Sequence, residues 1–248
     1  MRELELLYQT KYALDHLKEV FHSEPPKENM KQQRAFRRWH RWLAIITALQ
    51  LLAWTASGVF FAFVDIDHVR GEGHVIPMDG QHFEPASLAF EAREISTLRI
   101  IPRLPGEWVA EVRPHDADLE WLSLSGDPLP ALTRDQALTL GSLRTDLAPD
   151  TAEWVDSGPL AAEYRGRPLP LWRVYSSSDA STVAYLHASS GEVVAIRNTA
   201  WRWWDFLWSL HIMDYDDRDT IGTVLLKVFS VLALVTAVAG IVLFVLLP

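Results

Sequence analysis

An α+β domain outside the membrane, carried on a two-span α-helical anchor, is the fold class that the sequence predicts. Three observations point to it. Two runs free of Asp, Glu, Lys, Arg and His, Trp42–Val64 and Val228–Leu247, frame the chain with 23 and 20 residues. Charge divides unequally between the segments they separate. Between the runs, a pattern of one helix followed by strands occurs twice, bounded by Gly, Pro, Ser and Asp turn residues.

At the N-terminus, Leu4, Leu7, Leu14, Leu17 and Phe21 fall on one face of a helix, with Glu3, Lys11, Asp15, Lys18 and Glu19 on the other. The mixed charge argues against a polybasic lipid binder, so residues 1–26 read as a short cytoplasmic helix that docks on a partner or on the membrane surface. Pro25-Pro26 ends it, and residues 27–41 form a basic cytoplasmic linker. Each apolar run is long enough to cross a hydrocarbon core of about 30 Å at a rise of about 1.5 Å per residue. Spans are therefore expected over residues 42–64 and 221–247. The first starts well inside the chain and is longer than a secretory h-region, so it reads as a signal-anchor and not a cleaved leader.

The flanking charges orient the spans. Lys27, Lys31, Arg34, Arg37, Arg38 and Arg41 precede the first run against the single acid Glu28, whereas Asp65, Asp67 and Glu72 follow it. Residues 65–219 carry 26 acids, 13 arginines and no lysine. The positive-inside rule then places both ends of the chain in the cytoplasm and residues 65–219 outside. A bacterial inner membrane with a periplasmic domain is the expected location, and the acidic outer segment makes no case for nucleic acid. The chain has no cysteine, which excludes disulfides, thiolate zinc sites, Cys-ligated iron–sulfur clusters and thioether-attached haem.

The outer domain, residues 65–200, is expected as two repeats, over about 83–129 and 133–198. The first has a helix at Glu84–Arg93 and strands at Ser96–Ile101, Glu107–Arg113 and Leu119–Leu124. The second starts at the cap residue Thr133, with a helix at Arg134–Leu143 and strands at Leu171–Ser176, Thr182–His187 and Val193–Asn198. Alternation in Trp172, Val174 and in Val183, Tyr185 suits sheets with one face buried against a helix. Residues 201–220 form an aromatic and acidic segment suited to a membrane interface.

Pro170–Tyr175 together with Ser181–Val194, which ends in a Gly191-Glu192-Val193 turn, resembles the end of a PepSY domain. Leu119–Leu129 looks like a second, degenerate copy. Arg38–Leu43 with Trp54–Gly58 resembles the first helix of PepSY-associated transmembrane proteins, and Leu207–Tyr215 resembles the segment leading into their second. The resemblance covers roughly residues 34–245. It implies a duplicated PepSY-like domain. Larger members of the family have four spans, and some are siderophore-iron reductases that carry haem between membrane histidines.

That resemblance makes His40 and His211 candidate haem ligands. Composition alone reads the surroundings of His40 (Arg37, Arg38, Trp39, Arg41, Trp42) as an interfacial belt, and those of His211 (Trp201, Trp203, Trp204 and Trp208) as a belt or a helix lying flat on the membrane. By the expected topology the two histidines sit on opposite faces and cannot share one haem, so each needs a partner. His68 is the candidate for His211, His16 and His22 are candidates on the inner side, and a homodimer supplies a second copy of either. Haem is the one cofactor implied; otherwise none is expected. Asp214, Asp216, Asp217 and Asp219 read as an exposed acidic loop and not a calcium site, lacking the Gly and terminal Glu of a helix–loop–helix site. Lys227 can snorkel. Gln50 and Ser57 can hydrogen-bond across to the second span, and Ala53, Ala56, Gly58, Ala233, Ala237 and Gly240 permit close helix approach.

No catalytic constellation is legible, and Ser176–Ser178 reads as a hairpin turn. The first expectation is a non-catalytic accessory or assembly subunit of a membrane redox or metal-handling complex. It would contact other integral membrane subunits through its spans and residues 1–26. The alternatives are a haem-bearing electron carrier or ferric reductase component, and a periplasmic regulator of peptidase activity.

Overall fold

The computed structural model describes residues 27–78, 95–116, 118–159 and 162–246. The expected helices at 1–26 and Glu84–Arg93, with His16 and His22, lie outside them. The protein is α+β, with two long apolar helices and two antiparallel sheets. The first helix, α1 (Lys27–Phe63), is continuous through the basic stretch 27–41 and the apolar run. The last, α5, spans Val224–Leu246. Both are long and apolar enough to cross a membrane. Residues up to Leu52 together with those from Lys227 form one compact unit, and Ala53–Leu226 form a second.

In the second unit, α1 leads through Asp65 into the short helix α2 (Ile66–Arg70), whose first turn Asp65 caps. Gly71 ends α2 with φ of +71°, and a Cβ there would stand 2.6 Å from Ile196 Cγ2. Only glycine meets both the left-handed backbone and this close approach. A single 3₁₀ turn, Glu72–His74, follows. The chain then pairs with the end of the next helix through Ile76 N–H to Arg144 O, 2.8 Å.

The first sheet has the order β1 (Ile95–Pro102), β2 (Trp108–Pro114), β3 (Glu120–Ser123), all antiparallel. Its three strands match the expected ones to within a residue or two, because Gly106 and Gly126 supply the positive φ that the neighbouring turns require. Helix α3 (Arg134–Arg144) begins at Thr133 as expected. Thr133 Oγ1 accepts from Gln136 N–H while Gln136 Oε1 accepts from Thr133 N–H, at 3.3 and 2.9 Å, a closed capping box.

The second sheet differs from expectation in two ways. It has four strands, β4 (Thr151–Val155), β5 (Leu171–Ser176), β6 (Asp179–His187) and β7 (Val193–Arg197), in that order. Strand β4 is short and carries a weak Thr-Ala-Glu-Trp-Val alternation, so its pattern is faint until β5 pairs with it from Thr151↔Tyr175 to Val155↔Leu171. The sheet is also covered on both faces. Leu140 and Ala137 of α3 pack on Val174, Ala184, Leu186 and Ile196. Val183 and Tyr185 instead join Leu171, Ala195 and Tyr164 on the opposite face. The run Val183–Leu186 is apolar at every position, so alternation could not tell which face meets the helix.

The two sheets meet through named contacts. Arg99 of β1 pairs with Glu111 of β2 and reaches Glu192 beyond β6 at 2.7 Å. Arg144 donates to Pro102 O, and Trp121 of β3 stacks obliquely on His187 of β6 with ring centroids 4.8 Å apart. The His187 Nδ1 accepts from Ser190 N–H at 3.2 Å, a bond available only to the unprotonated nitrogen. Burial pushes the His187 pKa below its ordinary value, only partly offset by Glu111. A lowered folded-state pKa means that the unfolded chain takes up the proton first, so this stability is present at neutral pH and is lost as pH falls below about 6.5. Thermal unfolding of the full chain in detergent is therefore expected to shift less between pH 7 and 5 in His187→Gln than in the wild type; equal shifts would contradict the assignment.

Candidate functional site

Directly after strand β7, Asn198 caps helix α4 (Thr199–Ile212). Its Oδ1 accepts from Trp201 N–H at 2.7 Å, and its Nδ2 donates to His68 O at 2.8 Å. One side chain thus starts α4 and holds α2 beside it. Helix α4 then lays the stripe Trp204, Trp208 and His211 against the end of α1. Trp204 and Trp208 are stacked with centroids 5.3 Å apart and planes 12° apart, and Trp208 and His211 follow at 6.4 Å and 8°. Phe61 of α1 stands 5.6, 6.1 and 5.7 Å from these three rings in turn.

Two polar bonds fix the joint. Trp54 Nε1–H donates to His211 O at 2.8 Å, satisfying one of the carbonyls that the end of α4 leaves open. Ser57 Oγ lies 2.8 Å from Ala53 O, 3.0 Å from Trp54 O and 2.8 Å from His211 Nδ1. A hydroxyl has one proton, and both carbonyls only accept. The tautomer that satisfies all three contacts has Ser57 donating to its own helix and His211 Nδ1–H donating to Ser57 Oγ. His211 Nε2 then carries the lone pair, and it has no hydrogen-bond partner among the described residues. Ser57 is fully buried. Its partner is thus the residue before the last loop, in place of the expected partner on α5.

Most of the aromatic segment packs against other parts of the chain. Trp201 is buried between the guanidinium groups of Arg197 and Arg165, 4.3 and 5.5 Å from its ring. Trp204 and Trp208 belong to the stripe, and Trp203, 57% exposed, is the tryptophan of the four left outward. Below this stripe, Asp205 is 2% exposed and is held by Arg165 and Arg218 together, while Arg165 also reaches Asp219 at 3.2 Å. The acidic loop folds on itself: Asp214 accepts from Asp216 N–H and Thr220 N–H, and Asp217 from Asp219 N–H. Thr223 then caps α5, accepting from Leu226 N–H at 3.1 Å. These carboxylates are occupied as turn and cap acceptors. Sequence reasoning did not single out Asp205, Arg165 or Arg218, because 40 residues of chain separate the first pair.

The other histidines have separate surroundings. His40 sits in the other unit against Gly240, where a Cβ would lie 3.4 Å from His40 Cε1, and its Nδ1 is buried without a hydrogen-bond partner. Gly58, by contrast, faces open space. His68 lines a cleft of about 400 Å³ with Asp65, Asp67, His74 and Asp146. There His74 Nδ1–H donates to Asp146 Oδ1 at 2.8 Å. No hydrogen bond or ring contact among the described residues joins His68 to His211. Nor, among them, do three or more His, Asp or Glu converge as a metal-binding group. Among the described residues, no second histidine lies beside His211. Ser176 and Ser178 bond each other, and Ser177 bonds Asp150 through both its N–H and its hydroxyl, as in a hairpin turn.

Removing the buried carboxylate leaves Arg218 without its ion-pair partner among the described residues and Arg165 with only the exposed Asp219. Asp205→Ala is expected to cost about 3–5 kcal/mol in thermal or denaturant unfolding of the full chain. Asp219→Ala, at an exposed position, should cost under about 1 kcal/mol; similar losses for both would contradict this account. Comparison with family models, curated proteins and solved structures gives no match for this chain.

Proposed function

We propose that this chain is a membrane-anchored, non-catalytic accessory or assembly subunit that holds its α+β domain on the outer side of a bacterial inner membrane, in a complex that handles electrons or metal. The observation that carries this reading is the bareness of the two apolar helices. Only 11% of the most apolar stretch of α1 and 6% of that of α5 is buried within the chain. Leu49, Leu52, Val231 and Phe244 are among the side chains left uncovered. At about 25 cal/mol per Å² of apolar surface, such helices in water would be strongly unfavourable, so lipid or the helices of other subunits must cover them. The basic residues in the first part of α1, ahead of its apolar run, and the acidic segment after it support the orientation. The PepSY resemblance supplies the redox or metal direction. The Trp54, Ser57 and Phe61 contacts support a fixed mount for the domain and not a flexible tether.

A second reading, a haem-bearing carrier, is favoured by one observation. A histidine whose Nδ1–H is fixed by a neighbouring oxygen presents Nε2 as a ligand, as metal-bound histidines do. Haem bound there would supply one-electron chemistry. His211 would hold it, Ser57 would hold the imidazole plane, Trp54 and Phe61 would pack beside the imidazole, and any further ligand would come from outside the described residues.

Because the chain has no cysteine, single introduced cysteines report topology cleanly. A membrane-impermeant maleimide applied to intact spheroplasts is expected to label Ser125→Cys and to leave Arg34→Cys unlabelled until lysis. The reverse pattern, or recovery of the chain in the soluble fraction, would overturn the anchor. The detergent-purified protein is expected to be colourless and to migrate in a larger assembly. A Soret band stoichiometric with protein and lost in His211→Ala would replace this reading with the carrier.

A further inference from the structure

Beside the outer edge of β7 lies a cleft of about 220 Å³ lined by Arg70, Arg167 and Arg197, with Glu72 the one acid and Val193 and Val194 on its apolar side. Its charge is opposite to that of its surroundings, since residues 65–219 carry twice as many acids as arginines. Arg197 is the telling residue. It is 8% exposed, yet its guanidinium meets only neutral acceptors, with Nε donating to Glu163 O at 2.7 Å and Nη1 to Ile196 O at 2.9 Å. The Glu163 carboxylate itself is taken by Arg202, at 2.6 and 3.2 Å. Trp201 stacks on the guanidinium at 4.3 Å and holds its plane.

The other two cations of the cleft are hardly better paired. The Arg167 guanidinium is exposed and has no hydrogen bond or ion pair among the described residues, and Arg70 reaches Glu72 only at 3.6 Å. A buried cation without a counter-charge is costly unless an anion joins it. Burial, followed by repulsion from Arg167 and Arg165, pushes the Arg197 pKa down to about 10. Planar guanidinium groups on one cleft match the oxygens of a phosphate through paired N–H donors.

We propose that this cleft is an oxyanion site that binds a phosphoryl group through Arg197, Arg167 and Arg70. Two sources share that chemistry. One is a soluble phosphate compound; the other is the headgroup of an anionic lipid, which the position of Arg70, seven residues beyond the end of α1, would bring within reach. The site rests on the fold of the outer domain and is independent of the accessory role.

The test uses the full chain in an uncharged detergent, titrated by calorimetry with inorganic phosphate and separately with dioctanoyl phosphatidic acid. Saturable binding of at least one probe is expected, weakened about tenfold or more in Arg167→Ala and unchanged in Arg134→Ala, an exposed arginine outside the cleft. Comparable binding of both probes assigns the site to soluble phosphate, and binding of the lipid analogue alone assigns it to headgroups. Arg167 is exposed, so its variant tests binding without threatening the fold. Absence of saturable binding by either probe, or binding that Arg167→Ala leaves intact, would overturn the proposal.

Discussion

The contact between Ser57 of α1 and His211 of α4 is the constraint on which the arrangement of the second unit depends. It brings a fully buried hydroxyl, whose proton is already committed to its own helix, against an imidazole nitrogen. Ser57 stays bonded to its own helix, so the contact with the half-buried imidazole is an added bond that orients His211. The indole of Trp54 adds a second bond one helical turn away, to the carbonyl of the same histidine. Both bonds lie beside the rings of Phe61 and Trp208, and both are partly buried. The end of α1 and the end of α4 are therefore mated in one register.

From that joint the rest of the domain is positioned stepwise. Asn198 ties the start of α4 to α2, and Gly71 lets α2 settle against Ile196 of β7. The second sheet is buried on both faces, by α3 and by the segment around Tyr164, so it serves as the rigid body to which these pieces attach. Asp205 closes the arrangement from below. Its two arginines come from the loop before β5 and from the acidic loop after α4. A joint of this kind suits a subunit that carries its domain on the end of α1, as in the role proposed for it. The arginine cleft on β7 would then be held in a fixed place within the same unit.

How much of this was legible follows from the range of each interaction. Local signals were readable: the Thr133 cap, the turn glycines, and six of the seven strands among the described residues came from residues a few positions apart. The joint was half legible. Trp54, Ser57 and Phe61 share one helical face, as do Trp204, Trp208 and His211, and both triads have turn-and-next-turn spacing. Spacing identifies the stripes but not that they face each other, so Ser57 read as a partner for the last helix. Helix Thr199–Ile212 read as an interfacial belt because tryptophan density is the same whether the rings meet lipid or protein. Asp205 was invisible because an isolated acid in an aromatic segment has no local partner, and Arg165 and Arg218 arrive only through tertiary folding. The face assignment of β6 failed for a different reason, a continuous apolar run that erases its own period.

The central claim, that α4 is locked onto the end of α1 through Trp54 and Ser57, is tested most directly by hydrogen exchange of the tryptophan indole protons in the full-length protein in detergent. Trp39 and Trp42 lie on the same helix with exposed rings and serve as internal references for whatever protection the micelle gives. The account predicts that the Trp54 indole proton exchanges far more slowly than those of Trp39 and Trp42, and that His211→Ala or Ser57→Ala accelerates it. Exchange at Trp54 as fast as at those references, unaffected by either substitution, would contradict a locked joint.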